Sequence, residues 1–295
     1  MVLANRQRIV AGVDGSDASA SAARWAAAMA ARLGSPLHLA SAIREPAAYV
    51  GEPLLAIPAE VWEEEKRTVE GLLSGLAASI GKAHPSLTVT TSVDPAAMPG
   101  PMLIELSHTA RMLVVGNSGA GLVSTILLGS TAKAVADKAA CPVVIWREGT
   151  QGADAPITVG VDGGATGEIA LERAFEVASH FSAPLIAVHT WNASAAHGIV
   201  AFPEFTDWAG VEREEAAVLA ESLAGWTDKY PDVAVERVVH QGNATKTLVD
   251  RSARSQLVVV GSRGRGVLAR TFLGSTSSNL AHHGQCPVMI CRDGQ

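Results

Sequence analysis

The chain has 295 residues, 48% of them hydrophobic and 18% charged, with a formal net charge of -6 and three cysteines. That length suits about two ordinary domains, each with its own core, and the apolar content excludes a disordered chain. The acidic balance gives no support to nucleic-acid or acidic-membrane binding, and no run approaches the ~20 apolar residues of a membrane span.

The opening MVLANRQRIVAGVDGS has no apolar segment followed by a small-residue cleavage site, so a secretory leader is not expected. Cysteines without metal-type spacing fit a reducing compartment. The cytoplasm is the default location.

In chain order, strands are expected at RIVAGV (8–13), PLHLASAI (36–43), LTVTTSV (87–93), MLVVG (112–116) and PVVIW (142–146). Their apolar character is nearly continuous, as in parallel strands covered on both faces. Between them, DASASAARWAAAMAARL (17–33) and PAEVWEEEKRTVEGLLSGLAASIG (58–81) carry helical spacing, the second closing near Gly81 as a C-cap. Shorter helices fit PGPMLIELSHTA (99–110) and GSTAKAVADKAA (129–140). The set then repeats with ITVGV (157–161), PLIAVHTW (184–191), VAVERVV (233–239), LVVVG (257–261) and PVMIC (287–291).

The repeat is one of sequence as well as of pattern. Asp162 follows Asp14 by 148 residues, while Gly261 follows Gly116, and Cys286-Pro287-Val288 follows Cys141-Pro142-Val143, by 145. A unit of ~140 residues is a whole domain rather than a solenoid repeat. The polar segment REGTQGADAP (147–156) separates the copies, giving domains at 1–148 and 156–295 with a linker at 149–155. The βαβαβαβαβ order in each implies right-handed crossovers and an α/β doubly wound parallel sheet.

In such a sheet, ligands bind beyond the carboxyl ends of the strands where the winding reverses. Each copy places two features there: the acid of VDG after its first strand, and Gly-x-x-Gly, nine residues, then Gly-Ser after its fourth. If the first and fourth strands are neighbours, both features fall in one crevice. Gly116 and Gly119, or Gly261 and Gly264, let backbone N–H groups approach an anion without an intervening Cβ. The Gly-Ser-Thr that follows opens a helix whose free N–H groups and dipole form an anion site, to which Ser130 or Ser275 adds a donor. A turn followed by a serine N-cap is the plain alternative. Duplication of the spacing, with an acid beside each copy, favours a polyphosphate site. The segment is neither a P-loop nor a GxGxxG dinucleotide fingerprint.

With these residues in view, each half resembles a universal stress protein domain of the nucleotide-binding subclass, and the whole chain resembles a tandem protein of the actinobacterial kind. The residues that carry the likeness are VDGS and VDGG, the two glycine motifs, and the last strands headed by CPVVI and CPVMI. The resemblance implies five-stranded parallel sheets in order 3-2-1-4-5 with helices on both faces. It also implies ATP, with or without Mg²⁺, at each switch point. Asp14-Gly15 and Asp162-Gly163 would then lie beside adenosine. Backbone at Val13, Ala42 and Val115, and at Val161, Thr190 and Val260, would line the base pocket. The glycines, including Gly129 and Gly274, would hold ribose and phosphates together with Ser130-Thr131 and Ser275-Thr276. The family also pairs domains through the last strand, which implies an internal pseudo-dimer and allows a homodimer.

The copies differ in charge. The second loop carries Arg263, Arg265 and Arg270, whereas the first has no cation before Lys133. Both halves are therefore expected to bind ATP, the C-terminal half more tightly. The reading is of a nucleotide-dependent stress-response regulator with an unidentified protein partner, at most hydrolysing ATP slowly, since no second carboxylate accompanies either aspartate at a recognisable spacing. A nucleotide-free interaction module is discouraged by both intact glycine motifs. An adenylating or ATP-pyrophosphatase enzyme would need a Ser-Gly-Gly-x-Asp-Ser type loop that is missing here. His189, at the end of its strand, is within reach of a ligand but is read first as a hydrogen-bonded sheet-edge imidazole, and the acidic EVWEEEKRTVE and EREEAAVLAESL stretches as exposed helix faces without chemistry. The loops at 44–62 and 192–208 carry no readable role.

Overall fold

The computed structural model describes residues 7–43, 59–95, 98–118, 128–149, 152, 154–192, 207–264 and 273–292. The chain divides into two compact units, Met1–Val143 and Val144–Gln295. In the first, β1 (Arg8–Gly12), α1 (Asp17–Arg32), β2 (Leu37–Ala42), α2 (Ala59–Ala83), β3 (Val89–Asp94), α3 (Pro99–Ser107), β4 (Ala110–Gly116) and α4 (Ser130–Lys138) follow one another. The strands run parallel in the order β3-β2-β1-β4.

The second unit opens within β5 (Val143–Trp146) and continues through β6 (Ile157–Val161), α5 (Ala165–Phe181), β7 (Leu185–Trp191), α6 (Trp208–Leu223), α7 (Trp226–Lys229), β8 (Val235–Gln241), α8 (Ala244–Ser252), β9 (Leu257–Gly261), α9 (Ser275–His283) and β10 (Val288–Cys291). Its order, β10-β9-β6-β7-β8, is a parallel doubly wound sheet. In each sequence copy the first strand lies against the fourth, β1 on β4 and β6 on β9, so their carboxyl ends lie side by side.

The helices form where small apolar residues recur on one face. On α1, Ala22, Ala23, Ala26, Ala27 and Ala30 are fully buried, letting the helix lie close to the sheet. Ser16 caps it, accepting from the Ser19 N–H at 3.1 Å, and Gly34 at φ +60° ends it. Two expectations are corrected. Gly81 does not end α2, which runs on to Ala83, because Gly81 keeps a negative φ and its position faces open space. The outer strands β3 and β8 are not covered on both faces: edge positions leave Thr90, Thr91, Ser92, Glu236 and Arg237 at the surface.

At the C-terminus of α9 the cation on the last carbonyls is Arg147, which donates to Ala281 O at 2.5 Å and His282 O at 3.2 Å. All three cysteines are buried and free of disulfides. Burial pushes the Cys286 and Cys291 thiols up to about 12, outweighing the nearby Arg147 and Arg173 charges. Both therefore stay protonated far above neutral pH. A thiol-alkylating reagent at pH 7.5 is expected to modify neither in the native chain and both after denaturation. Rapid native labelling at either position, read by peptide mass spectrometry, would contradict this.

Candidate functional site

In the second unit the site grows from three chain reversals at one end of the sheet. After β6, Asp162 turns the chain through Gly163, whose φ is +72°, and its Oδ1 accepts the Gly164 N–H at 2.9 Å. Gly15, at φ +84°, makes the matching turn after β1, where Asp14 Oδ1 accepts both the N–H and the hydroxyl of Ser16 at 3.0 and 2.6 Å. A side chain at either glycine would strain a left-handed conformation.

After β9, the backbone passes so close to α5 that a Cβ on Gly261 would stand 2.7 Å from Thr166 Oγ1 and 3.0 Å from its backbone C and O. Thr166 Oγ1 donates to Arg263 O at 2.8 Å, pinning the glycine segment to the first turn of α5. Gly264 approaches the acid: a Cβ there would lie 3.3 Å from Asp162 Oδ2.

The long loop is closed at its base, where Gly274 N–H donates to Ser262 O at 2.8 Å. The first unit repeats this closure with Gly129 N–H on Asn117 O at 2.8 Å. The helices that follow, α4 and α9, have glycine N-caps, no capping side chain and no acid in the first turn. By contrast, Ser16, Asp207 and Asn243 each cap their helices with a side-chain oxygen. Glycine at the cap leaves the first-turn amides and the positive end of the dipole available to an outside anion.

These segments wall a cavity of about 520 Å³. Of the residues selected from sequence in this half, Val161, Asp162, Thr190, Val260, Gly261, Arg263, Gly264, Gly274, Ser275 and Thr276 line it. Gly163 faces a neighbouring groove over α5, α6 and α7, and Arg265 and Arg270 lie outside the described residues. In the first unit Val13 and Val115 are buried at the ends of neighbouring strands. Ala42, Gly116, Gly129 and Thr131 are half-buried there, while Asp14, Gly15 and Ser130 are exposed. Gly119 lies outside the described residues.

The cavity also holds Glu215 and Trp191, which the sequence did not single out, and His189, which is the hydrogen-bonded sheet imidazole expected. His189, only 3% exposed, bridges Val161 O at 2.7 Å through Nδ1 and Glu215 Oε2 at 2.7 Å through Nε2. Glu215 is thus no solvated face residue: it shares the inner stripe of α6 with buried Val211, Leu219 and Leu223. An acid at the gap in a four-residue apolar repeat was the legible signal. Trp191 stacks on Trp208 with centroids 6.2 Å apart. Its buried Nε1 has no hydrogen-bond partner among the described residues. Behind the cavity wall, Thr166 stands where the first copy has Ala18, which offers no hydroxyl for the equivalent bond.

The model of the universal stress protein family matches residues 5–147 and, a second time, residues 155–292. The chain belongs to that family. A universal stress protein of Mycobacterium tuberculosis (strain H37Rv) is 38% identical over 292 residues, covering 96% of each chain. One of Mycolicibacterium smegmatis is 36% identical over 289 residues, again covering 96% of each. Among solved structures, a universal stress protein from Archaeoglobus fulgidus DSM 4304 superposes with a TM-score of 0.70 at 19% identity. It covers 97% of this chain and 98% of its own, a likeness of fold. Among the described residues, this universal stress protein has no helix long and apolar enough to cross a membrane and no cluster of three or more metal-ligating side chains.

Proposed function

We propose that this universal stress protein is an ATP-binding regulator with one nucleotide site in each of its domains, 1–148 and 156–295, the second being the tighter. The observation that carries the reading is the convergence, on one cavity of about 520 Å³, of Asp162, the Gly261–Gly264 segment and the uncapped start of α9. The size is within the ~300–1,000 Å³ of small-molecule sites.

The lining suits a nucleotide from end to end. Val188, Leu248 and Val260 form an apolar wall for a base. Asp162 stands where a ribose would offer hydroxyl donors. The amides of Arg263 and Gly264, and of Ser275, Thr276 and Ser277, would take the phosphates, with the Arg263 side chain supplying positive charge. Bound nucleotide would supply the charge and bulk that distinguish two states of the chain. Mg²⁺, when present, would arrive on the phosphates. Buried cysteines without disulfides suit a cytoplasmic setting.

Acid extraction of freshly purified protein, with the nucleotide identified and counted, tests the reading directly. ATP is the expected product. Gly264→Glu is expected to remove more of it than Gly119→Glu, because one charge-assisted contact is worth about tenfold in affinity. Protein that neither carries nor takes up ATP refutes the reading, and the opposite order of the two variants refutes the ranking.

A further inference from the structure

We propose that Glu215, fixed by His189, is the hydrogen-bond acceptor through which the second-unit cavity selects adenine, whose exocyclic amine stands where hypoxanthine and guanine carry an oxo group, over oxo purines. This rests on the nucleotide reading and adds to it the group that discriminates the base.

The cavity is chemically polar along its length. One end consists of the glycine amides and the start of α9, which are donors. The other is walled by the end of β7 and by α6, and its charged group is Glu215. The lining also includes the apolar Val188, Leu248 and Val260. A ligand that fills this space is anionic toward the amides, apolar against these side chains and a hydrogen-bond donor toward Glu215.

His189 makes the acceptor a fixed one. Val161 O is a carbonyl and can only accept, so Nδ1 carries the proton of that bond. The other ring nitrogen then engages Glu215 Oε2 at 2.7 Å. The imidazole is 4% exposed and the glutamate side chain 18%, so the pair is held within the wall instead of swinging in solvent. With Oε2 committed to the ring, the carboxylate has Oε1 left for a ligand. A single acceptor matches the amine of adenine. The two-pronged N–H edge of guanine calls for both oxygens, and the 6-oxo group of hypoxanthine would set acceptor against acceptor. Ser41 occupies the place of His189 in the first copy, so the selection belongs to the second unit.

The test is equilibrium binding of ATP and inosine triphosphate to the full chain, with the ligand-induced change in tryptophan emission that Trp191→Phe abolishes as a second readout of the same cavity. In the tighter class of sites the wild-type chain is expected to prefer ATP by about tenfold or more. Glu215→Gln, isosteric and able to donate, should bring the two within about threefold, mainly by improving inosine triphosphate. His189→Gln, which leaves the carboxylate but frees it, should shift the ratio in the same direction by less. Glu215→Asp, keeping the charge, should retain the preference for ATP. Equal wild-type binding, or an unchanged ratio in Glu215→Gln, overturns the assignment while leaving ATP binding intact. If neither nucleotide binds, the nucleotide reading falls and takes this inference with it.

Discussion

Gly261→Ala is expected to cost the second unit about 1–3 kcal/mol and to weaken its nucleotide retention by at least about tenfold, whereas Gly116→Ala should stay close to wild type in both. The two glycines hold the same place in the two copies, but their surroundings differ. A methyl at Gly261 would meet Thr166 Oγ1 at 2.7 Å and Thr166 backbone at 3.0 Å, and backbone at the first turn of a helix has little room to move. A methyl at Gly116 would find its nearest atoms, backbone of Ala18, Ser19 and Ser118, at 3.4 Å.

The added methyl at Gly261 thus drives β9 and α5 apart and breaks the Thr166–Arg263 bond that holds the glycine segment beside the cavity. Thermal unfolding and acid-extracted nucleotide, measured on both variants, check the pair of expectations. Equal losses at the two positions would show that the close approach of β9 to α5 does not shape the site.

That difference marks the limit of what the chain discloses before folding. The duplication, the glycine spacing and the acid after each first strand are local patterns, and they located Asp162, Gly261, Gly264, Gly274, Ser275 and Thr276 on the observed cavity wall, whereas Val161, Thr190 and Val260 came only with the family resemblance. Contacts between segments distant in sequence did not announce themselves. Glu215 was hidden because EREEAAVLAESL satisfies the composition of a solvated helix, and only its alignment with Val211, Leu219 and Leu223 turns it inward. Thr166 looks like an ordinary first-turn residue until the glycine segment folds back over it, 97 residues later in the chain. Helix α2 overran Gly81 for a related reason: Leu73, Leu76 and Ile80 lie buried on one face, and that packing outweighs the weak helix propensity of one glycine.

The same blindness applies to the aromatic pile in the second unit, and there the largest stability effect is expected. Phe175→Ala should lower stability by about 3–5 kcal/mol, the usual cost of emptying a fully buried phenylalanine site. Phe175 is 0% exposed on α5 and stacks on Trp226 at 6.0 Å and on Tyr230 at 5.7 Å. Lys229 completes the pile from outside, its Nζ 4.8 Å from the Trp226 ring centre. A helix of four residues, α7 has too few internal hydrogen bonds to persist alone. Its position therefore depends on this stacking, and truncating Phe175 removes the floor beneath both rings.

Chemical denaturation followed by tryptophan emission should show a lower midpoint for the transition of the second unit. Phe175 does not line the second-unit cavity, so under the proposed function the fraction that remains folded should bind ATP as wild type does. Lys229→Ala, which leaves the rings in place, should cost under about 1 kcal/mol. A loss at Phe175 no larger than at Lys229 would mean that α7 is held by something other than the aromatic stack.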